Sequence, residues 1–215
     1  MSIKYFFYST LFVLSPIMHS KFTIILDATG DAKHAGRSIG TVFERGLTIQ
    51  CIQAIKNQIE TTHKNIEIIT TNDVSNSAHL SASAIFSNRI QPHIYLKLGF
   101  YQKLCKPCDW TLYRYSTNKS DELNQKFNPC IFYEINQAHQ MNYNITKLLA
   151  EQFLQTLQEP TCKIANYSHG LFAIPIQPLY GIQAPCLYFE AGLFQADDWQ
   201  LFVQPLSNAI CKALS

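Results

Sequence analysis

The stretch that decides the fold is FTIIL, residues 22–26, followed by the more polar DATGDA of residues 27–32. A short, unbroken apolar run that ends in small and polar residues is typical of a strand covered on both faces. A loop rich in small residues then reaches Phe43, and from Glu44 onward apolar residues recur at helical spacing. The chain is therefore predicted to open with a buried strand, a loop and a helix.

The same alternation continues along the chain. Residues 66–69 and 94–98 have the pattern of strands, and residues 80–88 between them have that of a helix. Two consecutive strand–helix–strand units predict a mostly parallel, twisted sheet with helices on both faces. The later predicted elements are a helix over 145–157 ended by Pro160, short buried strands at 171–174 and 187–189, and a closing helix over 201–214 with an early interruption at Pro205.

The segment from residue 100 to residue 132 is less regular. Residues 111–115 and 130–134 have strand-like composition, and a polar loop over 116–128 separates them. This pattern favours a hairpin or an inserted flap. Because neither a linker nor a repeat divides the rest, we predict one α/β domain over residues 21–215.

Composition narrows the class of protein. Of the 215 residues, 47% are hydrophobic and 15% are charged, which excludes a disordered chain. The formal net charge is +2 without a basic run, so a nucleic-acid partner is not expected.

The first twenty residues have the pattern of a secretory signal peptide. Lys4 provides a positive start, residues 5–18 are almost wholly apolar or aromatic, and small Ser20 precedes Lys21. An uncleaved N-terminal anchor is the alternative. Either way we expect an exported protein of the periplasm or cell envelope, without a membrane span after cleavage.

Seven cysteines follow this segment, so an oxidising compartment would leave at least one unpaired. Cys105 and Cys108 form a CxxC followed by strand-like residues 111–115 rather than by a helix. Redox chemistry favours a CxxC at a helix start, so a local structural bridge is the better interpretation.

Three segments carry a resemblance to a known family. They are ILDATGDA at 25–32 with ERGLTI at 44–49, SN at 87–88 with YLKLGFY at 95–101, and PCLYFEAGLF at 185–194. In order, spacing and strand–helix context they resemble the zinc-dependent N-acetylmuramoyl-L-alanine amidases that trim bacterial peptidoglycan. The match spans essentially all of the chain after residue 20.

The resemblance implies a site whose ligands have changed. In that family two histidines and a glutamate bind zinc, and a second glutamate is the general base. Glu44 matches the glutamate ligand and Glu190 the general base, while the two histidine positions fall on Gly30 and Gly99. Glycine offers no side-chain donor, so Glu44 would be a vestigial ligand facing Glu190 across a pocket without a cation. Glu44 also has a second explanation, since a carboxylate is favoured at a helix start.

Other residues offer a route to a rebuilt site. His34 lies in the same loop as Gly30, and His93 begins the strand that carries Gly99. Lys97, on the same strand face as Gly99, could instead place an ammonium where the metal charge would be. We expect no cofactor, or zinc if the site is rebuilt.

Three functions remain open from the sequence. The first is a degenerate amidase that binds peptidoglycan, a muropeptide or a partner protein. The second is a working zinc amidase that cleaves the N-acetylmuramoyl-L-alanine bond. The third is a non-catalytic interaction module whose surface includes Tyr113, Tyr115, Phe132 and Tyr133.

Overall fold

A computed structural model describes residues 21–31, 34–71, 82–117 and 134–214 of the chain. Its strands are β1 (Phe22–Ala28), β2 (Ser38–Ile39), β3 (Val42–Phe43), β4 (Ile66–Thr70), β5 (Ile94–Gln102), β6 (Asp109–Tyr115), β7 (Ser168–Ile174) and β8 (Cys186–Leu193). Its α-helices are α1 (Glu44–Thr62), α2 (Ala82–Ile90), α3 (Tyr143–Leu157) and α4 (Gln200–Lys212). Short 3₁₀ segments occupy Ile135–Asn142, Ala165–Tyr167, Gln177–Leu179 and Ala196–Trp199.

Six strands form the main sheet in the order β4-β1-β5-β8-β6-β7, and β2 pairs with β3 in a small separate hairpin. The pairs β1–β4, β1–β5 and β5–β8 are parallel. Strand β6 runs antiparallel to β8 and parallel to β7. The predicted single α/β fold with a mostly parallel sheet is thereby confirmed.

Helices cover both faces of this sheet, as predicted. Ile24 and Leu26 of β1 point into a large core that α1, α3 and α4 complete, with Phe153 and Phe202 among its buried side chains. Ile25 points to the opposite face, where a smaller cluster includes Ala84 of α2. Both faces of β1 are thus apolar, which explains its unbroken hydrophobic run.

Within the described ranges, the predicted elements agree with the structure except at β7, at Pro205 and in the loop before α1, which contains the short β2–β3 hairpin. Strand β7 is an edge strand with exposed Phe172 and Ile174, not a buried one, because it pairs on one side alone. Helix α4 continues through Pro205, whose ring is buried in the core, so packing offsets the missing backbone hydrogen bond. The strand predicted at 111–115 is confirmed as part of β6 in the main sheet.

Some predictions fall partly on residues that are not described. Residues 1–20 lie outside the described ranges, so the signal peptide stays a prediction. The same holds for residues 118–133, and therefore for the hairpin or flap within 100–132. In the part of the chain that is described, no helix has both the length and the apolarity needed to cross a bilayer.

Six of the seven cysteines are free thiols in the structure. The predicted bridge between Cys105 and Cys108 is wrong, since Cys105 is exposed and Cys108 is buried without a bond between them. The seventh, Cys130, lies outside the described ranges.

Candidate functional site

Glu44 is the first residue of α1 and is almost fully buried, with 1% of its surface exposed. Its carboxylate accepts the backbone N–H of Phe100 in β5 at 2.9 Å and that of Arg37 at 3.1 Å. A buried carboxylate costs free energy unless it is hydrogen-bonded and paired. These two bonds provide hydrogen-bond donors for the carboxylate of Glu44, but the negative charge still needs a cationic partner.

Glu190 lies in β8 directly beside Gly99 of β5. Its oxygen Oε1 accepts the hydroxyl of Tyr188 at 3.1 Å, and its oxygen Oε2 accepts that of Tyr113 at the longer distance of 3.4 Å. Tyr188 stands two residues earlier on the strand and therefore points to the same face. The side chain of Glu190 is 18% exposed, so one carboxylate of the site reaches solvent and the other does not.

Arg37 joins the two carboxylates. Its Nε and Nη2 donate to Oε2 and Oε1 of Glu44, both at 3.1 Å, in the forked geometry of a bidentate pair. The same Nη2 donates to Oε1 of Glu190 at 2.7 Å. The expectation of a pocket without a cation is therefore wrong, because a guanidinium lies between Glu44 and Glu190.

The loop before α1 fixes the position of Arg37. The N–H of Glu44 donates to the carbonyl of Arg37 at 2.8 Å, and the N–H of Arg45 donates to the carbonyl of Ala35 at 3.0 Å. The first N–H groups of a helix have no partner within the helix, so these loop carbonyls satisfy them. Loop and helix start are thus one hydrogen-bonded unit.

The pKa values of the site favour this charge pattern. Partial burial by itself lowers the pKa of Arg37, but hydrogen bonds to Glu44 and Glu190 outweigh it and raise the pKa above its ordinary value. Burial, followed by the charge of Glu190, raises the pKa of Tyr188. Arg37 therefore stays charged and Tyr188 stays a hydroxyl donor at neutral pH.

Neither of the two glycines at the predicted histidine positions has room for a side chain. A Cβ on Gly99 would lie 2.1 Å from the hydroxyl of Tyr188, which fills that space. Gly30 has a φ of +82°, and a Cβ there would lie 2.7 Å from the carbonyl oxygen of His34. The backbone and its neighbours are thus shaped around glycine at both positions.

The residues considered for a rebuilt site lie elsewhere. The His34 side chain is 72% exposed, and its ring is 3.2 Å from Asp31. His93 is exposed, and a nitrogen of its ring accepts the backbone N–H of Thr23. It precedes Gly99 by six residues, which is about 20 Å along an extended strand.

Lys97 does not supply the cation either. Its ammonium lies 2.6 Å from Asp27 instead. Burial by itself raises the pKa of Asp27, but the charge of Lys97 and hydrogen bonds from Lys97, Thr71 and Tyr95 outweigh it and lower that pKa.

These side chains do not fit a zinc ion. A catalytic zinc site needs about three protein ligands, and of the three that the resemblance implies, only the glutamate has a counterpart in this sequence, predicted at Glu44. Both oxygens of Glu44 already accept hydrogen bonds from Arg37. Within the described ranges, no three His, Cys, Asp or Glu side chains come together as a metal cluster.

A row of aromatic rings crosses the sheet beside Glu190. The ring of Tyr113 lies 5.7 Å from that of Tyr188 and 5.9 Å from that of Phe172. Phe172 is 46% exposed at the end of this aromatic row. Tyr115, by contrast, is buried against His139, while Phe132 and Tyr133 lie outside the described residues.

A second polar cluster lies next to the first. Asp109 accepts the hydroxyl of Tyr101 at 2.6 Å, lies 3.0 Å from a ring nitrogen of His169, and pairs with Lys103. Burial by itself raises the pKa of Asp109, but these hydrogen bonds outweigh it and lower that pKa. The ring of Tyr101 lies 5.7 Å from the guanidinium carbon of Arg37, so it connects the two clusters.

Sequence reasoning placed Glu44 and Glu190 in the site but missed Arg37, Tyr101 and Tyr188. One signal was available for Tyr188: it lies two residues before Glu190 on a predicted strand, so the two side chains point to the same face of the sheet. Arg37 stands in an irregular loop, where no periodicity indicates direction. The need to pair a buried Glu44 would have been the one physical reason to look for a nearby arginine.

We predict that Gly99→Ala destabilises the protein by about 1–3 kcal/mol, because the added methyl group overlaps Tyr188. Gly46→Ala is the control, since nothing lies within 4 Å of a Cβ added at this position. Because alanine is the better helix former, this variant should be more stable by about 0.5–1 kcal/mol. Urea unfolding measures both. In a Tyr188→Ala background the cost of Gly99→Ala should disappear, and a Gly99→Ala protein as stable as wild type would contradict this packing.

We predict that Arg37→Ala lowers the free energy of unfolding by about 1–3 kcal/mol, since it leaves buried Glu44 without its cation while Arg37 itself is half exposed. Millimolar ethylguanidinium should raise the melting temperature of this variant and not that of wild type. Exposed Arg89→Ala is the control, with an effect within about 0.5 kcal/mol. Equal stability of the two variants would refute the bridging role.

The sequence and the fold of this chain were compared with those of known proteins. No model of a known protein family matches the chain, and no curated protein matches it significantly. Among solved structures it is similar to the N-acetylmuramyl-L-alanine amidase Ami1 from Mycobacterium smegmatis, with a TM-score of 0.63 and 11% identity over 91% of this chain and 98% of that one.

Two further solved structures have a similar fold. The CwlD amidase from Clostridioides difficile, in complex with the GerS lipoprotein, has a TM-score of 0.63 and 14% identity over 90% of this chain and 98% of that one. The catalytic domain of the amidase CwlV from Bacillus (Paenibacillus) polymyxa var. colistinus has a TM-score of 0.57 and 12% identity over 90% and 98%. The resemblance read from the sequence is confirmed at the level of the fold: this chain has the fold of the N-acetylmuramoyl-L-alanine amidase catalytic domain.

Proposed function

We propose that this protein is an exported cell-envelope protein that binds the peptide of peptidoglycan without hydrolysing it. The observation that carries the proposal is the guanidinium of Arg37, which is hydrogen-bonded to both Glu44 and Glu190. In this proposal Arg37 replaces the positive charge that a metal ion supplies in a zinc amidase.

Loss of hydrolysis follows from the chemistry of the residues. A zinc amidase attacks its substrate with a metal-bound water that has lost a proton. In such an enzyme the general base takes its proton from the metal-bound water, so without a metal ion Glu190 lacks the nucleophile that it would activate, and Arg37 and Tyr188 hold its Oε1 instead. A fixed guanidinium stabilises the carboxylates and does not activate a water molecule.

Retention of binding is supported by the side chains that remain open to solvent. Arg37, Phe172 and His169 are exposed, and Tyr101 and Tyr113 are half-buried beside them. Aromatic faces together with a few charged groups are what ligand sites commonly offer. The likeness in fold to peptidoglycan amidases supports a peptidoglycan peptide as the ligand class, and the apolar segment at residues 5–18 supports export.

We predict that purified protein sediments with isolated peptidoglycan sacculi equally well with and without EDTA, and releases no peptide from them. Glu190→Ala should weaken retention about tenfold, the effect of one charge-assisted hydrogen bond. Glu159→Ala is the control, because this glutamate is exposed and pairs with Lys212 elsewhere.

A zinc amidase assayed in parallel verifies that the sacculi can be cleaved. Peptide release that EDTA abolishes would instead favour a working amidase. Failure to sediment would favour an interaction module for another partner.

A further inference from the structure

The two oxygens of Glu190 have different surroundings. Oε1 accepts hydrogen bonds from Arg37 at 2.7 Å and from Tyr188 at 3.1 Å. Oε2 has one long contact among the described residues, with the hydroxyl of Tyr113 at 3.4 Å. Each carboxylate oxygen can accept about two hydrogen bonds, so Oε2 keeps acceptor capacity on the partly exposed side of the group.

Among the described residues, the charge of the hydrogen-bonded group formed by Glu44, Arg37 and Glu190 is not balanced within the group. Its two carboxylates carry two negative charges and its guanidinium one positive charge, which leaves the group with a net charge of −1. The two lysines of this sheet face have other partners, since Lys97 pairs with Asp27 and Lys103 pairs with Asp109. An unbalanced charge in a partly buried site attracts a cation more strongly than the same charge in open water.

A second oxygen acceptor lies beside Oε2. The hydroxyl ends of Tyr113 and Tyr188 both meet the carboxylate of Glu190, and the aromatic row continues to exposed Phe172. A tyrosine hydroxyl both donates and accepts hydrogen bonds, so the hydroxyl of Tyr113 can accept from a cation that also binds Oε2. A carboxylate oxygen next to such a hydroxyl is a binding position for a small organic cation.

The number of oxygen acceptors near Oε2 determines which kind of cation can bind there. A guanidinium ligand binds best when it meets both oxygens of a carboxylate, and Arg37 already holds Oε1. A calcium ion would need about six oxygen ligands, which Oε2 and neutral tyrosine hydroxyls do not supply. A primary ammonium is a compact charge with three donors and needs one strong acceptor.

We infer that Oε2 of Glu190, at the edge of the aromatic row, binds a primary ammonium group of the ligand. This inference rests on the proposed function and makes the ligand class narrower: a peptidoglycan peptide that carries a free amine. Arg37 then acts as a positioning residue, because it holds Oε1 and turns Oε2 toward the ligand.

Isothermal titration with a matched pair of soluble peptides tests the inference. One is a peptidoglycan stem peptide with a free lysine side-chain amine, and the other is the same peptide acetylated on that amine. We expect the free amine to bind at least about tenfold more tightly. Glu190→Gln should remove this preference, and Glu159→Gln, on a distant exposed side chain, should keep it. Tyr113→Leu provides a second variant that should reduce the preference several-fold if Glu190→Gln folds poorly.

Equal affinity for the two peptides in wild type, or an unchanged preference in folded Glu190→Gln, would overturn the inference. Sacculi acetylated with acetic anhydride separate it from the proposed function. If the protein sediments equally with acetylated and untreated sacculi, peptidoglycan binding stands and ammonium recognition fails. If it sediments with neither while the peptide preference is present, the proposed cell-wall target fails and ammonium recognition stands.

Discussion

The guanidinium of Arg37 is the group on which the arrangement of this site depends. Glu44 is buried at the start of α1, and Glu190 reaches solvent from β8, so the two carboxylates differ in how much they need a cation. A charge buried at Glu44 without a partner would be costly, and one arginine supplies that partner while it also holds Glu190. The loop before α1, the helix start and the sheet are joined through these bonds.

The two glycines at the positions where the amidase resemblance implies histidines have their surroundings occupied by other groups. Gly99 provides space that the hydroxyl of Tyr188 fills, and Gly30 has a left-handed backbone with no room for a Cβ. A histidine at either position would require its neighbours to move. Gly99, Tyr188, Glu190 and Arg37 are therefore coupled through direct contacts at this site.

The sequence predicted the sheet and its helices well because their signals are local. The apolar run of β1, the helical spacing after Glu44 and the apolar run at 187–189 within β8 are each visible in the local sequence pattern. The exposure of β7 was missed because it depends on strand order, which a short apolar segment does not encode. Arg37 and the Asp109 cluster were missed because each is completed by a residue far away in the chain, Glu190 at 153 residues from Arg37 and His169 at 60 residues from Asp109.

An experimental structure of crystals soaked with zinc tests the central claim most directly, with anomalous scattering recorded at the zinc absorption edge. We predict no zinc peak between Glu44 and Glu190, and a guanidinium nitrogen of Arg37 within hydrogen-bonding distance of both carboxylates. A zinc peak bound by Glu44, with the Arg37 side chain turned away into solvent, would contradict it.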